Sequence, residues 1–118
     1  MSEVRIKRVF DPAEPEDGAR ILVDRLWPRG VSRDRAALTG WLKSVAPSHE
    51  LRKQYHASPD GWEAFATAYR AELDEPDAQA GLAELRRLAS EGVLTLLYSV
   101  RDPERNHAAI LRGILLAL

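Results

Sequence analysis

The sequence predicts an α/β domain: a small open, largely parallel sheet with helices on both faces. Two strand segments, "ARILVDRLW" (19–27) and "VLTLLYS" (93–99), are aliphatic on both faces, as strands inside a covered parallel sheet are. The second follows an amphipathic helical stretch that closes at Gly92 and precedes a tight loop and another helical stretch. That alternation is the pattern of a sheet covered by helices.

Each element has its own local reason. "VRIKRVF" (4–10) sets Val4, Ile6 and Arg8 on one side and Arg5, Lys7 and Val9 on the other, which predicts an edge strand with one wet face. The acidic loop "DPAEPEDG" (11–18) is shorter than the dozen or so residues usual for a parallel crossover, so strands one and two are expected to be antiparallel or only loosely paired. Pro28 and Gly30 end the second strand. "LTGWLKSVA" (38–46) fits a third strand or a short helix equally. Ser48 is an N-cap for a helix through about residue 56, and Ser58 and Pro59 open another whose face carries Trp62, Phe65, Ala66, Tyr69 and Leu73. Pro76 starts a third helix that Gly92 closes as a C′ glycine. Asp102 as N-cap and Pro103 at N1 begin the last.

Composition bounds the classes of function. The 118 residues show no repeat and no low-complexity linker, and form one domain, 1–118. There is no cysteine, which excludes disulfides, thiolate catalysis and cysteine-based zinc sites, and suits a cytoplasmic protein. No apolar run approaches a membrane span, and "MSEVRIKRVF" has no signal-peptide core, so no membrane partner is expected. Net charge is −1, whereas proteins that live on duplex DNA usually carry a basic balance. Among the 17 basic residues only Lys7, Lys43 and Lys53 are lysines. Walker, dinucleotide-binding, nucleophile-elbow and zinc-protease motifs are all missing. His49 and His56 lie too far apart on one helix, about 10 Å, to share a metal, so no cofactor or metal is expected.

In open α/β sheets ligands sit beyond the carboxyl ends of the strands. Two corners qualify, residues 25–30 and 98–107. Arg25 alternates onto the face of Ile21, Val23 and Trp27, and Asp24 onto that of Leu22 and Leu26. Charges at such a strand end need partners or a cavity. The candidates for Arg25 are a glutamate of a covering helix, or a ligand anion shared with Arg29. His107 shares a helical stripe with Ile110, Leu111, Ile114, Leu115 and Leu118, which puts it in the first turn, on the core face, near the sheet's mouth. A helix N-terminus favours neutral imidazole there. The structural alternative is a core histidine satisfied by a carbonyl or by Tyr98. Asp102 and Glu104 already occupy the helix's positive end, so an anion would fall to Arg25, Arg29 or Arg101. A triad of Ser99, His107 and an aspartate has no support in spacing.

The stretches "DGARILVDRLWPRG", "WLKSVAPSHELRKQY" and "TLLYSVRDPERNHAAIL" together resemble the YeaO-like branch of the domain of unknown function 488, over nearly the whole chain. The resemblance implies an α/β fold with a Rossmann-like sheet and no established activity. Its signature polar positions here are Asp24, Arg25, Trp27, Pro28, Arg29, Lys43, Pro47, Ser48, Arg52, Tyr98, Asn106 and His107. Longer relatives carry a cysteine just before the histidine. Asn106 stands there in this chain, so thiol chemistry does not carry over.

The leading expectation is an arginine-lined pocket for an anionic, phosphate- or nucleotide-like small ligand. Arg25 and Arg29 hold the anion, Lys43 and Arg52 assist, Trp27 belongs to the rim, and Tyr98, Asn106 and His107 form the polar wall. Were the protein an enzyme, His107 is the general base. The alternative is a non-catalytic module for nucleic acid or a protein, with Arg29, Arg33, Arg35 and Arg52 on one basic surface. A third arrangement closes Asp24, Arg25 and His107 on one another inside the sheet.

Overall fold

Leu94, Leu96 and Leu97 leave no face of the 93–98 segment for water, so this strand has to lie inside a sheet. It does so in a computed structural model, which describes residues 3–58 and 60–117. The strands are β1 (Glu3–Arg8), β2 (Ala19–Leu22), β3 (Gly40–Trp41) and β4 (Val93–Tyr98), in the order β1-β4-β2-β3 and all parallel. The helices are α1 (Arg33–Ala36), α2 (His49–Ala57), α3 (Trp62–Glu72), α4 (Pro76–Glu91) and α5 (His107–Leu116), with 3-10 turns at Pro15–Asp17 and Lys43–Val45.

Register aligns Ile6, Leu96 and Ile21 in one row across the sheet. This row faces the main core, where Phe65, Tyr69, Leu82, Leu85 and Leu111 meet it from α3, α4 and α5. The next row carries Leu97 and Leu22 to the other face, where Val9, Val31, Ala36, Trp27 and Trp41 cover them. Coverage is unequal: α2 to α5 occupy the first face, and the single turn of α1 with its flanking loops occupies the second.

The second face has its own ionic pin. Arg20 is buried and donates through Nε and Nη2 to the Ala36 carbonyl, and through Nη1 to Asp17 at 2.5 Å. Lys7 Nζ lies 3.2 Å from the same carboxylate. Burial opposes ionisation of Asp17, but the Glu14 N–H, Lys7 and Arg20 outweigh it and hold its pKa below the ordinary carboxylate value. The pin ties the Pro15–Asp17 turn and the end of α1 to the sheet.

Several expectations change. β1 and β2 run parallel, because β4 is inserted between them and pairs with both; they share no ladder. Residues 38–46 hold a two-residue strand and then a 3-10 turn, so both alternatives apply in part. Ser48 caps α2 as expected, accepting from the Leu51 N–H at 3.1 Å. Ser58, by contrast, closes α2, and α3 begins after Gly61. Pro59 and Leu118 lie outside the described residues. Gly92 does end α4, but its φ of 166° is extended backbone, so no left-handed cap is involved. Asp102 does not cap α5. Its carboxylate accepts from the Glu104 and Arg105 N–H groups of the preceding bend, and Asn106 is the cap. β2 ends at Leu22, so strand alternation stops short of Leu26, which is 61% exposed.

Candidate functional site

β2 and β4 are parallel neighbours, so residues 23–25 and 99–101 leave the sheet side by side. The chain after β2 crosses the second face through α1, while the chain after β4 enters α5, which packs on β1 and β4. Exits that diverge to opposite faces leave a crevice at the strands' carboxyl ends. A cleft of about 230 Å³ lies there.

Its floor is built around Asp24, which is 8% exposed. Asp24 Oδ2 accepts from Ser99 Oγ at 2.5 Å. Oδ1 is sealed from solvent and lies 3.0 Å from His107 Nε2, yet without the alignment of a hydrogen bond. The ring nitrogen is better aligned with the Val23 carbonyl, at 3.1 Å. Both neighbours of Nε2 are acceptors, so Nε2 carries a proton. In the neutral ring the lone pair then sits on Nδ1, which has no hydrogen-bond partner among the described residues.

Asn106 is 2% exposed; its Oδ1 accepts from the Ala109 N–H at 2.8 Å and its Nδ2 donates to the Asp102 carbonyl at 2.9 Å. Arg25 turns along the floor, where Nη2 donates to the Ala46 carbonyl at 3.0 Å and Nε to the Pro47 carbonyl at 3.2 Å. Nη1 has no partner among the described residues. Tyr69 stands behind His107, ring edge to ring face, and its hydroxyl donates to the Val45 carbonyl at 2.5 Å. Burial, with the Glu72 and Asp24 charges, pushes its pKa well above the usual tyrosine value, so it remains a donor.

One wall is aromatic: Tyr55 from α2, with Trp62 and Phe65 from α3. The mouth is arginine-rich. Arg52, Arg101 and Arg105 line it, and their side chains have no hydrogen-bond or ion-pair partner among the described residues. With Arg25 that makes four arginines against two aspartates, Asp24 and Asp102, around one opening. Asp102 is held below the ordinary carboxylate pKa by the Arg105 and Glu104 N–H groups. No cluster of three or more His, Cys, Asp or Glu suited to a metal occurs among the described residues.

Of the residues expected from sequence, Arg25, Arg52, Arg101, Asn106 and His107 meet at the cleft. Trp27, Arg29, Lys43 and Tyr98 do not line it. Trp27 packs edge-on to Trp41 beneath the Arg33 guanidinium, with its Nε1 donating to the Val31 carbonyl. Lys43 Nζ lies 4.2 Å from the Trp41 ring centre, Arg29 is exposed, and Tyr98 is core at 3% exposure. The chain departs from strand geometry after Leu22, which carries Trp27 to the second face. Arg25 pairs with backbone carbonyls, not with a glutamate of a covering helix. His107 and Asp24 do meet, without Arg25 between them. Tyr55, Trp62 and Phe65 were not expected at a site; Ser99 and Arg105 lie within the expected 98–107 corner, but no binding role was assigned to them. Ser99 was legible as the first residue past a strand's carboxyl end, whereas the aromatic periodicity is fully explained by the core that those rings also serve.

Fold and cleft define a small parallel α/β domain with a polar-floored, arginine-mouthed crevice at its strand ends. Residues 3–118 match the family model described as the inactive DUF488-N3 subclade, and the chain belongs to that family, within the domain of unknown function 488. It is 44% identical to the uncharacterized protein YeaO of Escherichia coli over 98% of each chain. Uncharacterized proteins of Mycobacterium tuberculosis and Mycobacterium bovis are each 43% identical to it, over 97% of this chain and 94% of theirs. No solved structure matches it. Among the described residues no helix is long and apolar enough to cross a membrane.

Proposed function

We propose that this protein binds a small anionic ligand, phosphate- or nucleotide-like, in the cleft, and does so without chemistry of its own. The observation that carries the reading is the set of guanidiniums at one opening, three of them unpaired within the described protein. A solvated arginine face is ordinary; unpaired forks converging on a concave site are what planar anion recognition needs. The absence of catalysis rests on two supports. The floor groups are engaged with one another: the Asp24 carboxylate stands between Ser99 and His107, so the imidazole does not reach the hydroxyl it would have to activate. The matching family model is described as inactive. The lack of cysteine fits work in the cytoplasm.

A thermal-shift screen with inorganic phosphate, sugar phosphates, nucleotides and short oligonucleotides tests the reading. A ligand at a hundred times its dissociation constant adds about 2.7 kcal/mol, which raises Tm by several degrees in a domain this size. The expected result is a shift with a phosphorylated small molecule that is lost in Arg52→Ala. A shift with oligonucleotides alone, vanishing at high salt, would replace the proposal with a nucleic-acid module. Turnover of a phosphorylated compound that is lost in His107→Ala would reinstate the catalytic alternative.

A further inference from the structure

We infer that the ligand enters base-first: a nucleoside phosphate whose nucleobase N–H is read by Ser99 at the floor, with its phosphate at Arg52, Arg101 and Arg105. This rests on the anion-binding reading above and adds to it the identity of the inner end.

The hydrogen-bond accounting of the floor leads there. Ser99 has one proton, and it is given to Asp24 Oδ2, so toward the cleft its Oγ offers only lone pairs. Asp24 Oδ1 is sealed, hence the carboxylate acts through Ser99 by holding that proton away. His107 Nε2 is turned to Val23 and Asp24, which in the neutral ring leaves the lone pair on Nδ1. Against these acceptors stand one spare amide hydrogen of Asn106 Nδ2, whose other donates to the Asp102 carbonyl, and Arg25 Nη1, unpartnered among the described residues. The entering edge therefore needs an acceptor beside its donor, as a nucleobase edge has. A group entering this floor has to bring a donor, since a buried acceptor left unmet is costly. A bare ammonium suits it less well, because the carboxylate oxygen nearest the cleft is already screened by a hydroxyl.

The walls and the volume narrow the class. Tyr55, Trp62 and Phe65 line one side with aromatic surface, and base–aromatic contact is favourable for every base. The cleft, about 230 Å³, is smaller than the 300 Å³ and upward of sites that enclose a whole drug-sized ligand. A single ring system fits inside, and the sugar phosphate is left at the mouth. The polar groups are distributed accordingly: Asp24, Asn106 and His107 are buried, while the Arg101 and Arg105 guanidiniums are on exposed residues.

The test compares the adenosine, guanosine, cytidine and uridine 5′-monophosphates with purine riboside 5′-monophosphate, whose base has no N–H, by calorimetry on the unmodified protein. At least one natural nucleotide is expected to bind about tenfold or more tightly than the purine riboside compound, the scale of one lost hydrogen bond in a desolvated site. In Ser99→Val that preference should disappear, and in Ser99→Thr it should persist. Equal affinity for all five compounds, still dependent on Arg52, would overturn the base-first inference while leaving anion binding intact. Binding of none of them would remove both. A folded Ser99→Val protein that keeps the preference would overturn the role of Ser99. Should that variant fail to fold, the comparison on the unmodified protein still decides.

Discussion

Arg25 and Arg52 line the same cleft, yet replacing each by alanine should have opposite consequences. Arg25 is a strut: its guanidinium closes on the Ala46 and Pro47 carbonyls, both on buried residues, and ties the end of β2 to the segment that leads into α2. A hydrogen bond to a charged donor is worth about 1.5–3 kcal/mol, and the half-buried position of Arg25 places its two bonds toward the low end. Arg25→Ala should therefore cost about 2–4 kcal/mol. For 118 residues the unfolding entropy near Tm is about 0.25 kcal/mol/K, so the melting point falls by about 8–16 °C. Arg52, with no partner among the described residues, should change stability by less than about 0.5 kcal/mol when truncated, while binding is lost. Urea and thermal unfolding of both variants, followed by calorimetry with the tightest phosphorylated ligand, measure the contrast. If Arg25→Ala melts within 2 °C of the parent, its carbonyl contacts are incidental and the strut account is wrong.

Three further expectations follow from the scaffold. Gly18 has φ of +63°, and a Cβ there would lie 2.3 Å from the Val93 carbonyl oxygen, so Gly18→Ala should lose at least about 2 kcal/mol in denaturant unfolding. Asp17 titrates below its ordinary value of 3.8 in the folded state, so its contribution is complete above that pH and lost as the pH falls through the depressed value. Asp17→Asn should thus be less stable at pH 7, and urea midpoints taken between pH 5 and 2 should fall less steeply than the parent's. Asn106→Ala removes the α5 cap and should cost about 1–2 kcal/mol in thermal unfolding, with helix content otherwise retained by circular dichroism.

What could be read from the chain was whatever is local. Ser48 announces α2, Pro76 announces α4, and the unbroken aliphatic run of 93–98 announces a central strand, because each depends on neighbours within a turn or a pleat. The position of β4 between β1 and β2 depends on pairing across more than 70 residues, and no local signal marks it. Two N-cap residues compete at 102 and 106; the choice falls to the one whose helix can bury His107, Ile110 and Leu111, which is a tertiary decision. The site divides in the same way. Arg25, Asn106 and His107 were visible as polar groups at strand ends, and Arg52 through the family pattern. Trp27 and Lys43 went elsewhere because β2 stops at Leu22 and the chain turns to the second face. Ser99 and the aromatic wall acquire meaning only when α2, α3 and the two strand ends come together.

The most direct measurement is a titration of the ¹⁵N-labelled protein with a nucleoside monophosphate, observed as backbone amide and arginine side-chain shifts. Saturable shifts should cluster at residues 24–25, 46–56 and 99–107, include the Arg52 and Arg105 side chains, and disappear in Arg52→Ala. Shifts confined to the surface around Trp27, Arg33 and Lys43, or none at all at millimolar ligand, would contradict the placement of a binding site between the ends of β2 and β4.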